Sequence, residues 1–164
     1  MNTEELLDLL KTDATEISIC DIMKIRTRMA EEVRYLPERY KRIYLNDLFE
    51  HLYLVFLNIN RSTRLEHIED IDPDIQQNIV QQINEQVKID DPKGKLLGDF
   101  LKLTSLYLIF IAKKPIHPVG MTFPGGQQIV ERDGNYYCPV KDKQSKVKPS
   151  MCEFCICKDL DEIE

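Results

Sequence analysis

The sequence has no excess of basic residues. Its 22 Lys and Arg stand against 28 Asp and Glu, a formal charge of −6, so no global positive field exists to hold nucleic acid or an anionic membrane. Long apolar runs are missing too. The most apolar stretch, Ser105 to Ala112, covers eight residues, with Asp99 and Lys102 interrupting any extension toward the N-terminus; a helical membrane span needs about 20. Glycine is scarce at six residues, which excludes a collagen-like repeat. Internal repeats and low-complexity tracts are lacking. Met1-Asn2-Thr3-Glu4-Glu5 is acidic and amphipathic, without the basic start and apolar core of a secretory signal. Neither glycine-rich phosphate-loop pattern occurs. No Ser–His–Asp or Cys–His nucleophile can be assigned, and no Glu stands in a recognised deaminase or protease motif. These absences lead us to expect a soluble, cytoplasmic protein without membrane contact.

What remains is ordinary for a globular domain: 43% apolar and 30% charged residues over 164 positions. At that length folding buries roughly 70% of the surface the unfolded chain exposes, enough for a real core.

Residues 1–113 read as a helical bundle of about five helices. Thr3 is the expected cap of the first, with Leu6, Leu7, Leu9 and Leu10 as its apolar stripe. The second runs from about Thr15 to Tyr35, with Ile19, Ile22, Met23, Ile25, Met29 and Val33 at helical spacing. Leu36-Pro37 breaks it, because the residue before proline avoids the α region. Pro37 then opens a third helix to about Asn60, whose inward face runs through Tyr40, Ile43, Tyr44, Leu48, Leu52, Val55, Phe56 and Ile59. Asp72-Pro73-Asp74 is a strong start signal for the fourth. That helix sets Ile75, Ile79, Ile83 and Val87 against a polar face of Gln76, Gln77, Gln81, Gln82 and Gln86. Asp90 to Gly94 reads as a turn. The fifth helix, from about Lys95 to Lys113, is apolar nearly all round and therefore belongs at the centre of the bundle.

At Lys114 the pattern changes. Five of the eight prolines and four of the six glycines lie between 115 and 149. Gln127 to Glu131 and Asn135 to Cys138 form a candidate hairpin about an Asp133-Gly134 turn. Residues 114–164 are expected as a Pro/Gly-rich segment resting on the bundle, with a fraying acidic tail from Asp159.

Four of the five cysteines fall in this segment as Cys138-x13-Cys152-x2-Cys155-x-Cys157. Two residues between thiolates let both converge on one tetrahedral ion. Cys138, at the end of the hairpin, supplies a third ligand. The fourth is Cys157 or His117, the latter in the Pro115-Ile116-His117-Pro118 segment leading into the hairpin. Structural zinc is the expected cofactor, in a knuckle-like module, because few aliphatic residues are present to build an independent core there. An iron–sulfur cluster is the alternative. The corresponding functional expectation is a non-enzymatic interaction or regulatory protein; the competing class is an enzyme or redox protein using an open-coordination zinc or a cluster.

Other constellations are weaker. Lys141, Lys143, Lys146 and Lys148, beside Tyr136 and Tyr137, suggest a nucleic-acid contact of lysines on phosphates and rings on bases, against which stands a simple solvated loop. A protein partner is the preferred expectation. Phe123-Pro124-Gly125-Gly126 reads as a tight turn, Asp47 and His51 as a pair on a helix surface, and Cys20 as a small packed hydrophobe.

The segments His117-Pro118-Val119-Gly120, Phe123-Pro124-Gly125-Gly126, Tyr136-Tyr137-Cys138-Pro139-Val140-Lys141-x2-Gln144 and Cys152-x2-Phe154-Cys155 together resemble a conserved hypothetical family found mainly in methanogenic archaea, a domain of unknown function. The resemblance extends over essentially the whole chain, though its specific motifs all follow residue 114. It implies an archaeal, cytoplasmic protein and assigns no activity and no catalytic residue.

Overall fold

In the computed structural model, residues 1–87, 91–144 and 151–163 are described. Among them the larger helices form five continuous rods. α1 spans Thr3–Thr15 and α2 spans Ile19–Glu32. α3 (Glu38–Ile43) passes through a π-helical turn, Tyr44–Phe49, into α4 (Glu50–Arg61). α5 spans Pro73–Gln86, and α6 (Pro92–Leu106) ends in a second π-turn, Tyr107–Ala112.

Local chemistry fixes the starts. The cap of α1 is Asn2, not Thr3: Asn2 and Glu5 form a reciprocal capping box, satisfying two backbone donors at once. The Thr3 hydroxyl instead accepts from the Glu69 N–H at 3.1 Å, tying the interhelical loop to the N-terminus. Ser18 and Asp21 make the same box for α2, which starts that helix later than the apolar spacing suggested. Asp72 caps α5 with Pro73 in its first turn. Asp91 caps α6 with Pro92 behind it, so Pro92 and Gly94 belong to the helix rather than to a turn; Asp90 lies outside the described residues.

The main core is a cluster running through all five rods. α6 contacts α1, α2, α4 and α5, the central position its all-round apolar character required. Phe100, fully buried, lies 6.3 Å from the Phe49 ring and 6.1 Å from Phe56. The π-turn adds a residue to the helical cycle and brings both Leu48 and Phe49 inward. On α2 the inward stripe is Ile22, Ile25 and Met29, while Ile19 and Met23 are 66% and 68% exposed. One stripe of a 3.6-residue helix cannot hold all five. Cys20 is exposed as well, so it is not a packed hydrophobe.

Lys113 leaves the last helix in the left-handed region, at φ 54°. That conformation is unfavourable for a residue with a Cβ. It lets the Lys114 N–H close onto the Leu108 carbonyl at 3.1 Å and turns the chain back toward the bundle. The remaining segment holds a three-stranded sheet. β1 (Val130–Arg132) pairs antiparallel with β2 (Asn135–Cys138), and β2 pairs parallel with β3 (Lys158–Asp159). Asp133 and Gly134 both have positive φ, as a two-residue hairpin turn requires. The first strand is shorter than expected, because Gln128 pairs with Thr122 instead. The acidic tail is ordered through Ile163: Asp159 caps a 3-10 turn over Leu160–Glu162 and accepts from the Asp142 N–H at 3.0 Å. No helix among the described residues is long and apolar enough to cross a membrane.

Candidate functional site

The C-terminal segment and the bundle enclose a cavity of about 510 Å³. The bundle contributes Tyr44 and Leu48 of the π-turn, Leu52 of α4, Ile83 of α5, and Leu101 and Ser105 of α6. The opposite wall holds His117, Cys138, Cys152, Cys155, Cys157 and Lys141. All five residues expected as metal ligands therefore face one space. A π-helical turn at its edge is a common companion of functional sites.

Each cysteine is placed by a separate device. The hairpin carries Cys138 to the end of β2. β3, pairing parallel with β2 in the register Tyr137↔Lys158 and Cys138↔Asp159, draws the preceding Cys157 alongside. Cys138 and Cys157 are both buried, and with Ile129 they form a small core against which Cys155, Phe123, Tyr136 and Val140 pack. Cys152 and Cys155 lie on one turn, closed by the Cys155 N–H to the Cys152 carbonyl at 3.3 Å. That turn is fastened to the bundle: Met151 and Phe154 pack on the main core, and buried Gln82 of α5 donates its amide to the Glu153 carboxylate. Gln82 is thus not part of a solvated face.

Electrostatics distinguish the sulfurs. The Cys155 thiol is held down to about 6, first by a hydrogen bond from the Cys157 thiol. Burial opposes this, while the Cys157 and Ile116 N–H groups and the Lys141 ammonium support it. Cys157 is pushed up by the same shared hydrogen bond and by burial. Cys138 is raised, mainly by burial. His117, half-buried, is pushed down to about 4 by burial and then by nearby His51; its ring meets Phe123 edge-on at 5.6 Å.

Among the described residues, no three His, Cys, Asp or Glu side chains converge closely enough to hold an ion as they stand. The expected zinc-knuckle geometry is not formed. What stands in its place is a common cavity wall and a three-stranded sheet, with the sulfurs adjacent but not focused on one point. Of the four lysines, Lys141 turns inward and donates to the Cys152 carbonyl and, at 3.0 Å, to the Cys155 carbonyl. Lys143 is exposed. Lys146 and Lys148 lie outside the described residues.

Residues 2–160 match the family described as "Uncharacterized protein conserved in archaea (DUF2115)". The chain belongs to this archaeal family. Its relatives include a UPF0305 protein of Methanococcus maripaludis strain C7, 39% identical over 168 residues, covering 99% of this chain and all of the relative. A UPF0305 protein of Methanocaldococcus jannaschii is 37% identical over 166 residues, with both chains fully covered. One from Methanothermobacter thermautotrophicus is 32% identical, with 95% of each chain covered. No solved structure matches the chain.

In this family member, two residues that support the site from outside its lining escaped sequence reasoning. His51, read as one of a surface pair with Asp47, is half-buried and its Nε2 is enclosed without a partner. Burial lowers it, against the carbonyls of Pro115 and Ile116, while Asp47 remains exposed on the π-turn. The spacing of four assumed an unbroken α-helix, and the π-turn invalidates that register. Gln82 was missed because it sits among other glutamines; only the docking of a remote turn selects it.

Proposed function

We propose that this protein is a metal-binding protein in which Cys138, Cys152, Cys155 and Cys157 hold a structural zinc that ties the strands and turns of the C-terminal segment to one another beside the helical bundle. The observation that carries this is that four cysteines, contributed by β2, the 151–156 turn and the residue before β3, line one cavity. Sulfur donors at this number and spacing suit a tetrahedral, soft-tolerant ion. Zinc binding would have to draw the sulfurs onto one centre, which they do not share as they stand. Cys157 is preferred over His117 as fourth ligand because it shares a small core with Cys138 and Cys155 and a hydrogen bond with Cys155.

A zinc contributes roughly 10–16 kcal/mol of folding free energy to small modules that use one. A fully sulfur-coordinated ion leaves no position for substrate on the metal, which favours a structural over a catalytic role for this site. The exposed Ile19 and Met23, one turn apart on α2, favour a protein as its partner. The hydrogen bond shared by the Cys155 and Cys157 thiols favours a second reading, a redox-active thiol pair.

Cobalt substitution separates the two. The reduced, metal-free chain should take up one Co²⁺ with visible bands and sulfur charge transfer of a four-thiolate tetrahedral site. His117→Ala should leave that spectrum intact and Cys157→Ser should weaken it. A spectrum with fewer sulfurs and bound water contradicts the structural reading, and failure to bind Co²⁺ or Zn²⁺ removes it.

A further inference from the structure

Lys141 is the first residue of α7, a single short turn over Lys141–Gln144 that follows β2 directly. Its neighbour Lys143 points to solvent. The Lys141 side chain does the opposite: it is half-buried, lines the cavity and gives its ammonium to the main-chain oxygens of Cys152 and Cys155. Among the described residues no carboxylate ion-pairs with it. A lysine that forgoes water for two carbonyls has a reason to be there. Those two carbonyls belong to the first and last residues of the C-x2-C turn, so one amine clamps the turn at both ends.

Four thiolates around a divalent cation leave a net charge of −2. In a half-buried site that excess is costly unless opposite charge lies close. From these contacts we infer that Lys141 is a positioning residue of the four-sulfur site: it fixes the Cys152–Cys155 turn and offsets the excess negative charge of the thiolates. The inference rests on the metal-binding reading and adds to it a residue that is not a ligand. It also removes Lys141 from any phosphate-binding set, since its donors are committed inward.

The test uses the full-length chain, reduced and metal-free, titrated with Zn²⁺ against a chelator of known affinity and separately with Co²⁺. Lys141→Gln keeps a donor and loses the charge; Lys141→Arg keeps both; Lys143→Gln removes a neighbouring charge that does not touch the site. Outer-shell partners of metal sites typically account for 10–100-fold in affinity. Lys141→Gln should lose that much zinc affinity and shift the sulfur-to-cobalt charge-transfer band. Lys141→Arg should stay within a few-fold of wild type, and Lys143→Gln should match it. Equal affinity in Lys141→Gln and wild type overturns the inference, as does an equal loss in Lys143→Gln. Loss of the helical circular dichroism in Lys141→Gln also contradicts it, because its effect is confined to the site. Wild type that binds neither metal defeats the underlying functional reading instead, an outcome distinct from the others.

Discussion

Asp91 shows how much one side chain does in this fold. Its carboxylate accepts from the Gly94 N–H at 2.7 Å, capping α6, and meets the Arg28 guanidinium at 3.0 Å, joining α6 to α2. The cap first, then the guanidinium, holds the carboxyl below the ordinary value, near 3.9 in an unfolded chain. A carboxyl depressed in the folded state adds stability at all pH above that unfolded value. The contribution is lost as pH falls through the folded one. Thermal melting followed from pH 7 to pH 2 should show a decline that begins below about pH 4, and Asp91→Asn should flatten that limb. An unchanged acid limb would show that Asp91 is not linked to folding. Gln82 makes a second test at this scale. Gln82→Ala removes the amide that holds Glu153 and leaves the bundle intact. It should raise hydrogen exchange in residues 151–157 with little change in α4 or α6; protection equal to wild type would mean that Met151 and Phe154 hold the turn unaided.

At the scale of elements, sequence reasoning succeeded where periodicity and end signals agreed. Asp72-Pro73 marked the start of α5, Asp133-Gly134 marked the hairpin, and the stripless apolar run marked α6 as central. It failed where geometry depended on something remote or non-periodic. The π-turn at Tyr44–Phe49 has no sequence signature, and it changed the surroundings of His51. β3 spans only Lys158–Asp159, two polar residues whose pairing is set by β2 and not by their own alternation. Yet that pairing is what places Cys157 beside Cys138. The cysteines stand close together in the sequence, but their separate anchoring without a shared centre, and the inward turn of Lys141 among lysines that read as a solvated loop, were not legible there. The central role of α6 carries its own prediction. Phe100→Ala removes a fully buried ring at the junction of α4 and α6, and should cost about 3–5 kcal/mol in denaturant unfolding. A loss below about 1 kcal/mol would contradict its place in the core.

The whole molecule divides its stability unevenly. The bundle has a continuous core through five rods, whereas among the described residues the C-terminal segment's own core has three buried residues, two of them cysteines. Hydrophobic burial alone favours the first far more than the second. On this account the sulfur site compensates, and the two parts respond differently to metal loss: a chelator should release exchange protection over residues 115–144 and 151–163 while helical circular dichroism stays near its starting value. The most direct measurement is the metal content of freshly purified, untagged protein beside its Cys155→Ser variant. One zinc per chain is expected in the wild type and far less in the variant; a wild type without bound metal, folded and protected over the same residues, would refute the zinc site.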